Sequence, residues 1–318
     1  MEYMATEALP PLPPSAEKLY TVTSRKSGHG SESAVYFCTS SAGALSTGST
    51  GTEAMSASIS LIAVKVFTYE LAECDITPLR ELKDKQKTEQ PDHPCNRFFP
   101  KLLEVNHPTW QAMEAIQGPM LANFATIVQQ HRAWGAVFTC HVFLELHAAI
   151  CGLLDLGLYH QDFSNTRNIM FRYRYPTHPQ YELPGIVLVD LTLAPVVHEK
   201  FQNPTLIKDL LWLCSTICKG VDGKTEFLPI VAAVPNLVGA WDVDVVAKFD
   251  AFLARPESCQ MKFRELGQLF HTALDDIRGR RHEVTPWPGV ELEKLLKYTW
   301  RPGEILRENV SDKISLMS

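Results

Sequence analysis

The sequence predicts an α+β chain with a β-rich N-terminal part and a larger, mainly helical C-terminal part. Apolar runs at residues 18–22, 35–37 and 61–67 have the alternation or β-branched composition of strands. Between residues 137 and 154, apolar side chains recur at steps of three and four, which predicts one long amphipathic helix. With 318 residues, 45% of them hydrophobic, the chain is long enough for two lobes with cores of their own.

The overall charge argues against nucleic acid as a partner. The formal net charge is -6 and the pI is about 6.0, whereas a nucleic-acid footprint needs clustered Lys and Arg in a basic domain. The one basic cluster, residues 278–281, is short enough to be a solvated helix end. The eight cysteines are scattered without a CxxC pair, so neither zinc nor a redox motif is indicated.

No membrane contact is expected, because no apolar run approaches the roughly 18 residues of a membrane span. Residues 1–14 lack the basic start and apolar stretch of a secretory leader. The expected location is therefore intracellular and cytoplasmic, and a nuclear location stays open.

The N-terminal part begins with a proline-rich stretch, for which we predict a disordered tail over residues 1–17. A strand, a turn containing Gly28 and Gly30, and a second strand from Val35 then predict a hairpin. Glycines let backbone N–H groups approach an anion closely, although a Gly-x-Gly turn alone is weak evidence. Residues 39–60 are rich in Ser, Thr, Gly and Ala and read as a flexible insertion.

Lys65 lies in the middle of the apolar strand 61–67. A buried lysine is costly unless it is paired, so this position indicates a functional contact. The alternative is a lysine on an edge strand that points to water. A polar helix over residues 76–90 follows, with Pro78 in its first turn, and then two strands at 98–105 and 109–116. Residues 117–119 break the second of these strands.

The C-terminal part opens with the long helix, and Gly157 sits where its C-cap belongs. His147 lies on the apolar stripe and is interpreted as a hydrogen-bonded core histidine. A further helix at 205–215 carries Asp209 near its start, where it suits the helix dipole. Helices are also predicted at 242–254, 261–277 and 290–298. Trp241, Phe249 and Phe252 could form either core or a pocket.

Residues 158–194 contain two carboxylates and an amide, Asp162, Asn168 and Asp190, flanked by short apolar runs. Phosphoryl transfer uses one carboxylate to orient or deprotonate a hydroxyl, and an amide with a second carboxylate to hold Mg²⁺. Each residue alone could be an ordinary turn or strand-end residue. Their order after the Gly-x-Gly turn, the strand lysine and the long helix is what indicates this chemistry.

Over roughly residues 18–218 the chain resembles the protein-kinase-like fold. The segment 160–162 matches its His-x-Asp, Asn168 its catalytic-loop asparagine, and Asp190 its metal-binding aspartate. In style it is similar to aminoglycoside and choline phosphotransferase-type enzymes and to fungal kinase-like proteins. The resemblance implies a bilobal fold with an N-lobe at 18–116, a helical C-lobe at 117–318 that carries the catalytic loop 158–194, and a hinge at residues 114–115.

The resemblance also implies ATP and Mg²⁺ as cofactors, with Asp162 as the catalytic residue and Asn168 and Asp190 as metal ligands. The nucleotide contacts that it implies are Gly28, Gly30, Ala63, Lys65, Glu81 and Glu114. Glu81 is the first choice as the partner of Lys65, with Glu73 and Glu89 as alternatives, because the spacing does not choose between them.

Two departures from the pattern bear on activity. Asp162 and Asn168 are six steps apart instead of five, so the loop must bulge to bring Asn168 back, or the metal site is weakened. Asn165, three steps on, is too near to replace it. Leu191 and Thr192 stand where Phe-Gly is common, and Ser164 stands where serine/threonine kinases have a lysine.

The resulting hypothesis is an ATP-dependent phosphotransferase that acts on a small hydroxylated molecule. A protein serine/threonine kinase and a pseudokinase that works as a binding module are the alternatives.

Overall fold

The computed structural model describes residues 10–29, 33–41, 61–116, 118–123, 132–172, 183–195, 203–219, 227–233 and 243–283. These residues fall into two compact units. Unit 1 takes the described residues within Met1–Thr88 and Pro100–Ile116, and unit 2 those within Glu89–Phe99 and Gln117–Thr299. The fold-class prediction is confirmed, because unit 1 is built on a β-sheet and unit 2 is mainly helical.

Unit 1 is a five-stranded antiparallel sheet in the order β1-β2-β3-β5-β4. Its elements are α1 (Pro14–Glu17), β1 (Tyr20–His29), β2 (Ser33–Ser40), β3 (Ile62–Phe67), α2 (Glu73–Thr88), β4 (Leu102–Glu104) and β5 (Trp110–Glu114). The predicted hairpin is present as β1 and β2, although Gly30 lies outside the described residues. The insertion predicted over residues 39–60 is wrong at its start, because Thr39 and Ser40 belong to β2, and residues 42–60 lie outside the described residues.

The N-terminal segment, residues 10–17, is part of unit 1, so the prediction of a disordered tail is wrong for these residues. Leu12 and Ala16 are buried against the sheet, with 7% and 0% of their surface exposed. Trp110 Nε1 donates to Ser15 Oγ at 2.9 Å, and the Tyr36 hydroxyl donates to the carbonyl of Pro10. One leucine and one alanine among the prolines supply enough apolar surface to cover one face of the sheet. Residues 1–9 lie outside the described part.

Helix α2 begins at Glu73, earlier than predicted, and Pro78 lies inside it rather than in its first turn. The Asp75 carboxylate accepts a hydrogen bond from Ala72 N at 3.1 Å, which satisfies an amide at the start of the helix. At the other end, Gln86 Nε2 donates to Pro100 O at 3.0 Å and Gln86 Oε1 accepts from Leu102 N at 2.9 Å. This side chain therefore ties α2 to the start of β4.

Unit 2 holds four short strands and its helices. Its elements are α3 (Pro94–Arg97), α4 (Arg132–Asp155), β6 (Leu158–His160), β7 (Ile169–Arg172), β8 (Gly185–Leu188), β9 (Leu193–Pro195), α5 (Asn203–Cys218), α6 (Phe227–Ala233), α7 (Val243–Ala254) and α8 (Phe263–Gly279). β6 pairs with β9 and β7 pairs with β8, both antiparallel. The predicted helix at 290–298 lies outside the described residues.

Residues 89–99 belong to unit 2, whereas the prediction placed them in the N-terminal lobe. The reason is a charged contact between α3 and α4. Arg97 Nη2 donates to both carboxylate oxygens of Glu145 at 2.6 Å, and Arg278 Nη1 reaches Glu145 at 3.1 Å from α8. Glu145 is only 4% exposed, so it is a buried carboxylate paired with two guanidinium groups.

Helix α4 forms the centre of unit 2. Residues 134–155 are long and apolar enough to span a membrane, because an 18-residue window within them has a mean hydropathy of 1.7, so the prediction that no such run exists is wrong. In the described structure 78% of that window is buried. Phe143, Phe249 and Phe270 meet edge to face nearby, with ring centroids 5.0–6.3 Å apart. Phe249 is thus a core residue, while Trp241 lies outside the described residues.

His147 is a core residue as predicted. Its Nε2 hydrogen-bonds to Phe263 O at 2.8 Å, and its ring stacks on that of Phe263 at 4.7 Å. A Cβ on Gly267 would lie 2.0 Å from the imidazole, so only glycine lets α8 approach α4 this closely. The predicted end of α4 is also observed, because Gly157 has φ +70.

Candidate functional site

The loop that connects β6 to β7 in unit 2 lies within the predicted catalytic loop, residues 158–194. β6 delivers His160, the loop carries Asp162, and Asn168 immediately precedes β7. β9, which follows Asp190, lies against β6 with Leu193 opposite His160. The pairing of these strands brings together two segments that are about 30 residues apart in sequence. Asp162 follows the first strand closely, and Asp190 precedes the second.

His160 links the backbones of these two segments. Asp162 N donates to His160 Nδ1 at 3.1 Å, and His160 Nε2 donates to Val189 O at 3.3 Å. Both bonds together require an imidazole that carries its proton on Nε2. Because His160 is only 2% exposed, it fixes Asp162 and the residue before Asp190 from inside the protein.

Asp162 and Asn168 are in direct contact despite the longer spacing. Asn168 Nδ2 donates to Asp162 Oδ2 at 2.9 Å and to Asp162 O at 3.0 Å. Asn168 is buried, with 6% of its surface exposed, while Asp162 is exposed. The extra residue has therefore not moved the asparagine away from the aspartate.

A turn at Asn165 absorbs the extra residue. Asn168 N donates to Asn165 O at 2.8 Å, closing a four-residue turn, and Arg167 N donates to Asn165 Oδ1 at 3.1 Å. This second bond is typical of an Asx turn. Asn165 Nδ2 also donates to Asp162 Oδ2 at 3.1 Å, a role that the sequence analysis missed. The signal was available in the two asparagines, three residues apart, that bound the turn.

Asp190 has a left-handed backbone, with φ +57. Such a conformation is uncommon for residues other than glycine and costs free energy that surrounding contacts must offset. Here Val189 N donates to Asn168 O and Thr192 N donates to Asp190 O, both at 2.8 Å. One backbone hydrogen bond thus links Asn168 to Val189, the residue before Asp190. The Asp190 side chain is exposed.

Asp209 on α5 lies within electrostatic range of Asp162. Burial raises the pKa of Asp209, Lys208 lowers it, and the negative charge of Asp162 raises it again. This interaction places the second turn of α5 near the loop that carries Asp162. Because the helix begins at Asn203 and has no acidic residue in its first turn, the predicted first-turn role of Asp209 with the helix dipole is wrong.

Gly118 lies within the break that was predicted at residues 117–119. A Cβ on Gly118 would lie 1.5 Å from Phe171 O, so only glycine fits at this position. Phe171 N donates to Pro119 O at 3.0 Å, and Met120 forms an isolated antiparallel β-bridge with Met170. The segment 118–120 therefore runs alongside β7, the strand that follows Asn168.

In unit 1, Lys65 and Ala63 lie on one face of β3. Ile62, Val64 and Val66 point to the opposite face, which the N-terminal segment covers. Lys65 is half-buried between Val35 and Gln111 on the neighbouring strands, and its Nζ lies 4.8 Å from the centre of the Phe67 ring. A half-buried lysine in the centre of the sheet is inconsistent with the alternative of an edge-strand lysine.

The predicted partners of Lys65 occupy different environments. Glu81 is on the exposed side of α2, Glu73 binds Arg80 on the same helix, and Glu89 lies in unit 2, 3.9 Å from His93 Nε2. None of these contacts includes Lys65, so its glutamate partner stays a prediction. Glu114 ends β5, where its Oε2 accepts from Lys101 N at 3.1 Å.

Gly28 is inside β1, paired with Val35, and lies next to an irregularity in the strand register. It therefore precedes the turn instead of forming it. Gly30 lies outside the described residues, so a phosphate-binding role for this pair stays a prediction.

The donor atoms of unit 2 suit a magnesium ion. Mg²⁺ prefers oxygen ligands and commonly uses one or two carboxylates together with phosphate and water. Asp190 offers a carboxylate. The Asn168 amide nitrogen is engaged by Asp162, which leaves the Asn168 amide oxygen as the donor for a metal.

The comparisons with known proteins give structural matches only. No family model matches the chain, and no curated protein matches it. The solved structures that match include the kinase domain of Mycobacterium tuberculosis PknI. This domain is 16% identical over 80% of this chain and 96% of that chain, with a TM-score of 0.44. A double mutant of the same domain is 17% identical over 80% and 95%, with a TM-score of 0.41.

The order and pairing of the elements define the class. A five-stranded sheet with a central lysine is followed by a long helix, the loop from His160 to Asn168, and Asp190 after a strand pair. This is the protein-kinase-like arrangement that the sequence predicts.

Proposed function

We propose that this chain is an ATP-dependent phosphotransferase of the protein-kinase-like superfamily whose acceptor is a small hydroxylated molecule. The observation that carries the proposal is the hydrogen-bonded connection of Asp162, Asn168 and Val189 in unit 2. It supports the proposal because the carboxylate of Asp162 is bonded to Asn168, and Asn168 is bonded to the residue before Asp190, so that residues that are ordinary one by one are connected.

Each residue has a separate role in this proposal. The exposed carboxylate of Asp162 orients the acceptor hydroxyl and takes its proton. Asn168 and Asp190 hold Mg²⁺, which when bound neutralises charge on the phosphates. Lys65 contacts the α- and β-phosphates with a glutamate as its partner, Glu81 first among the candidates. Gly28, Gly30, Ala63 and Glu114 complete the nucleotide contacts.

In the sequence, the six-step spacing between Asp162 and Asn168 was the feature that favoured a pseudokinase over an active enzyme. The turn at Asn165 removes most of that argument, because Asn168 still reaches Asp162 at 2.9 Å. The spacing is therefore compatible with a working metal site.

The segment after Asp190 favours a small acceptor over a protein. A protein kinase holds its peptide on a platform between the metal-binding aspartate and the helix that corresponds to α5. In this chain β9 occupies Leu193–Pro195 and α5 begins at Asn203, which leaves only residues 196–202 for a platform. That length is short for an extended peptide groove, since each residue spans at most about 3.5 Å. We therefore place acceptor selection in a pocket of unit 2.

The proposal is tested by separating nucleotide binding from turnover. ATP with Mg²⁺ at about one hundred times its Kd should stabilise the protein by about 2.7 kcal/mol, and EDTA should remove that gain. Asp190→Ala should lose the Mg²⁺-dependent stabilisation. Asp162→Ala should keep it, yet lose turnover by about 10²- to 10⁴-fold, the usual contribution of a general base.

Acceptors are surveyed with labelled ATP on a degenerate peptide array beside a panel of sugars and amino alcohols. Asp162-dependent labelling of the small molecules is the expected result. Labelling of peptides alone would establish the protein-kinase alternative. A melting curve that does not respond to millimolar ATP and Mg²⁺ would exclude both, and ATP binding without any turnover would leave the pseudokinase.

A further inference from the structure

We propose that Asn165 is a positioning residue for Asp162: its side-chain amide and that of Asn168 together fix the orientation of the aspartate carboxylate. This inference rests on the proposed function, in which that carboxylate orients the acceptor hydroxyl. It assigns a role in the reaction to a residue of the turn that lies between Asp162 and Asn168.

Both side-chain hydrogen bonds to the Asp162 carboxylate reach the same oxygen, Oδ2. Asn165 Nδ2 reaches Oδ2 at 3.1 Å, and Asn168 Nδ2 reaches the same oxygen at 2.9 Å. Oδ1 takes part in neither bond. Two donors on one oxygen prevent rotation of the carboxylate about its Cβ–Cγ bond, so Oδ1 keeps one direction. Because Asp162 is exposed, Oδ1 is the oxygen that an acceptor hydroxyl can approach.

Different atoms of Asn165 form the turn and bind Asp162. Its Oδ1 accepts from Arg167 N at 3.1 Å and its carbonyl accepts from Asn168 N at 2.8 Å, and both bonds build the turn. Only its Nδ2 binds the aspartate. The tasks can therefore be separated by one isosteric change, Asn165→Asp, which keeps an oxygen for Arg167 N and replaces the donor with a second carboxylate oxygen.

The substitution Asn165→Asp should lower kcat about 10- to 100-fold, the loss that corresponds to one charge-assisted hydrogen bond at the reacting group. The Kd for ATP with Mg²⁺ should stay within about 3-fold of the natural protein, because Asn168 and Asp190 are unchanged. Asn165→Ala should also lose the side-chain bond to Arg167 N, although it keeps the backbone bond that closes the turn, so it should lower both kcat and the melting temperature. Thr166→Ala changes a neighbouring side chain of the same turn and is the control that should leave kcat unchanged.

A spectroscopic measurement makes the test independent of activity. In protein labelled with ¹⁵N-asparagine, the side-chain amide protons of Asn165 should exchange slowly, and Asp162→Ala should shift their resonances and speed their exchange. No response of these resonances to Asp162→Ala would overturn the inference even if the enzyme is active.

A kcat for Asn165→Asp equal to that of the natural protein, or an equal loss of kcat and ATP affinity, would also overturn it. If the natural protein shows no turnover but the amide resonances respond, the proposed function fails while the contact stands.

Discussion

The sheet of unit 1 and the loop of unit 2 that carries Asp162 are each stabilised by a different kind of contact. In unit 1 the N-terminal segment packs Leu12 against strands up to a hundred residues further along, and Trp110 bonds Ser15 across 95 positions. In the loop, Asp162, Asn165 and Asn168 bond one another within six positions. Contacts that are local in sequence can be anticipated from residue types and spacing, whereas packing of distant segments cannot.

The largest effect on stability is expected where the packing is most distant in sequence. Leu12→Ala should destabilise unit 1 by about 3 kcal/mol, because it removes most of a buried leucine from the face of the sheet. Hydrogen exchange at the amides of β2 and β3 measures this loss directly. Glu17→Ala, an exposed change in the same segment, is the matched control and should have little effect. Equal protection in Leu12→Ala and in the natural protein would mean that the segment does not support the sheet.

Unit 2 also depends on one distant polar contact, which links α4 to the strand before Asp190. His141 Nε2 donates to Pro184 O at 2.8 Å, directly before β8. Burial lowers the pKa of His141 from 6.5 to about 4, although nearby Glu145 and the bond to Pro184 act to raise it. Between these two values the unfolded chain binds a proton that the folded chain does not. The free energy of unfolding should therefore fall as the pH falls.

From pH 7.5 to pH 5 this one histidine should cost about 2 kcal/mol of stability. His141→Gln can still donate to Pro184 O but does not titrate, so it should lose about 2 kcal/mol less than the natural protein over that interval. Urea unfolding at the two pH values measures the difference. A parallel decrease in both proteins would show that other groups cause the pH dependence.

The smallest effect is expected at Asp190, where the contribution is purely local. Glycine adopts φ +57 without the cost that a Cβ incurs, so Asp190→Gly should be more stable than Asp190→Ala by about 1 kcal/mol. Both variants lack the carboxylate and should lack Mg²⁺-dependent binding, which makes Asp190→Ala the control for the lost charge. Urea unfolding of the two variants measures this difference in stability. Equal midpoints would indicate that the backbone at residue 190 relaxes without strain.

The sequence by itself determined the fold class, the strand with Lys65, the long helix ending at Gly157, and the order of Asp162, Asn168 and Asp190. These features depend on periodicity, on a glycine cap and on short spacings, all of which are local. The candidate metal ligands Asn168 and Asp190 were predictable for the same reason, since the strand pair of β7 and β8 separates them along the chain.

Tertiary structure alone decided the rest. Burial of Leu12 and Ala16 made residues 10–17 a packed segment, and the ion pair of Arg97 with Glu145 drew residues 89–99 into unit 2. The bond from Asn165 to Asp162 is local and its residues were visible in the sequence, but spacing gives the distance along the chain and not the direction in which a turn points its side chain. The placement of residues 10–17 and of residues 89–99 depends on which surfaces meet in space, and residue order does not specify that.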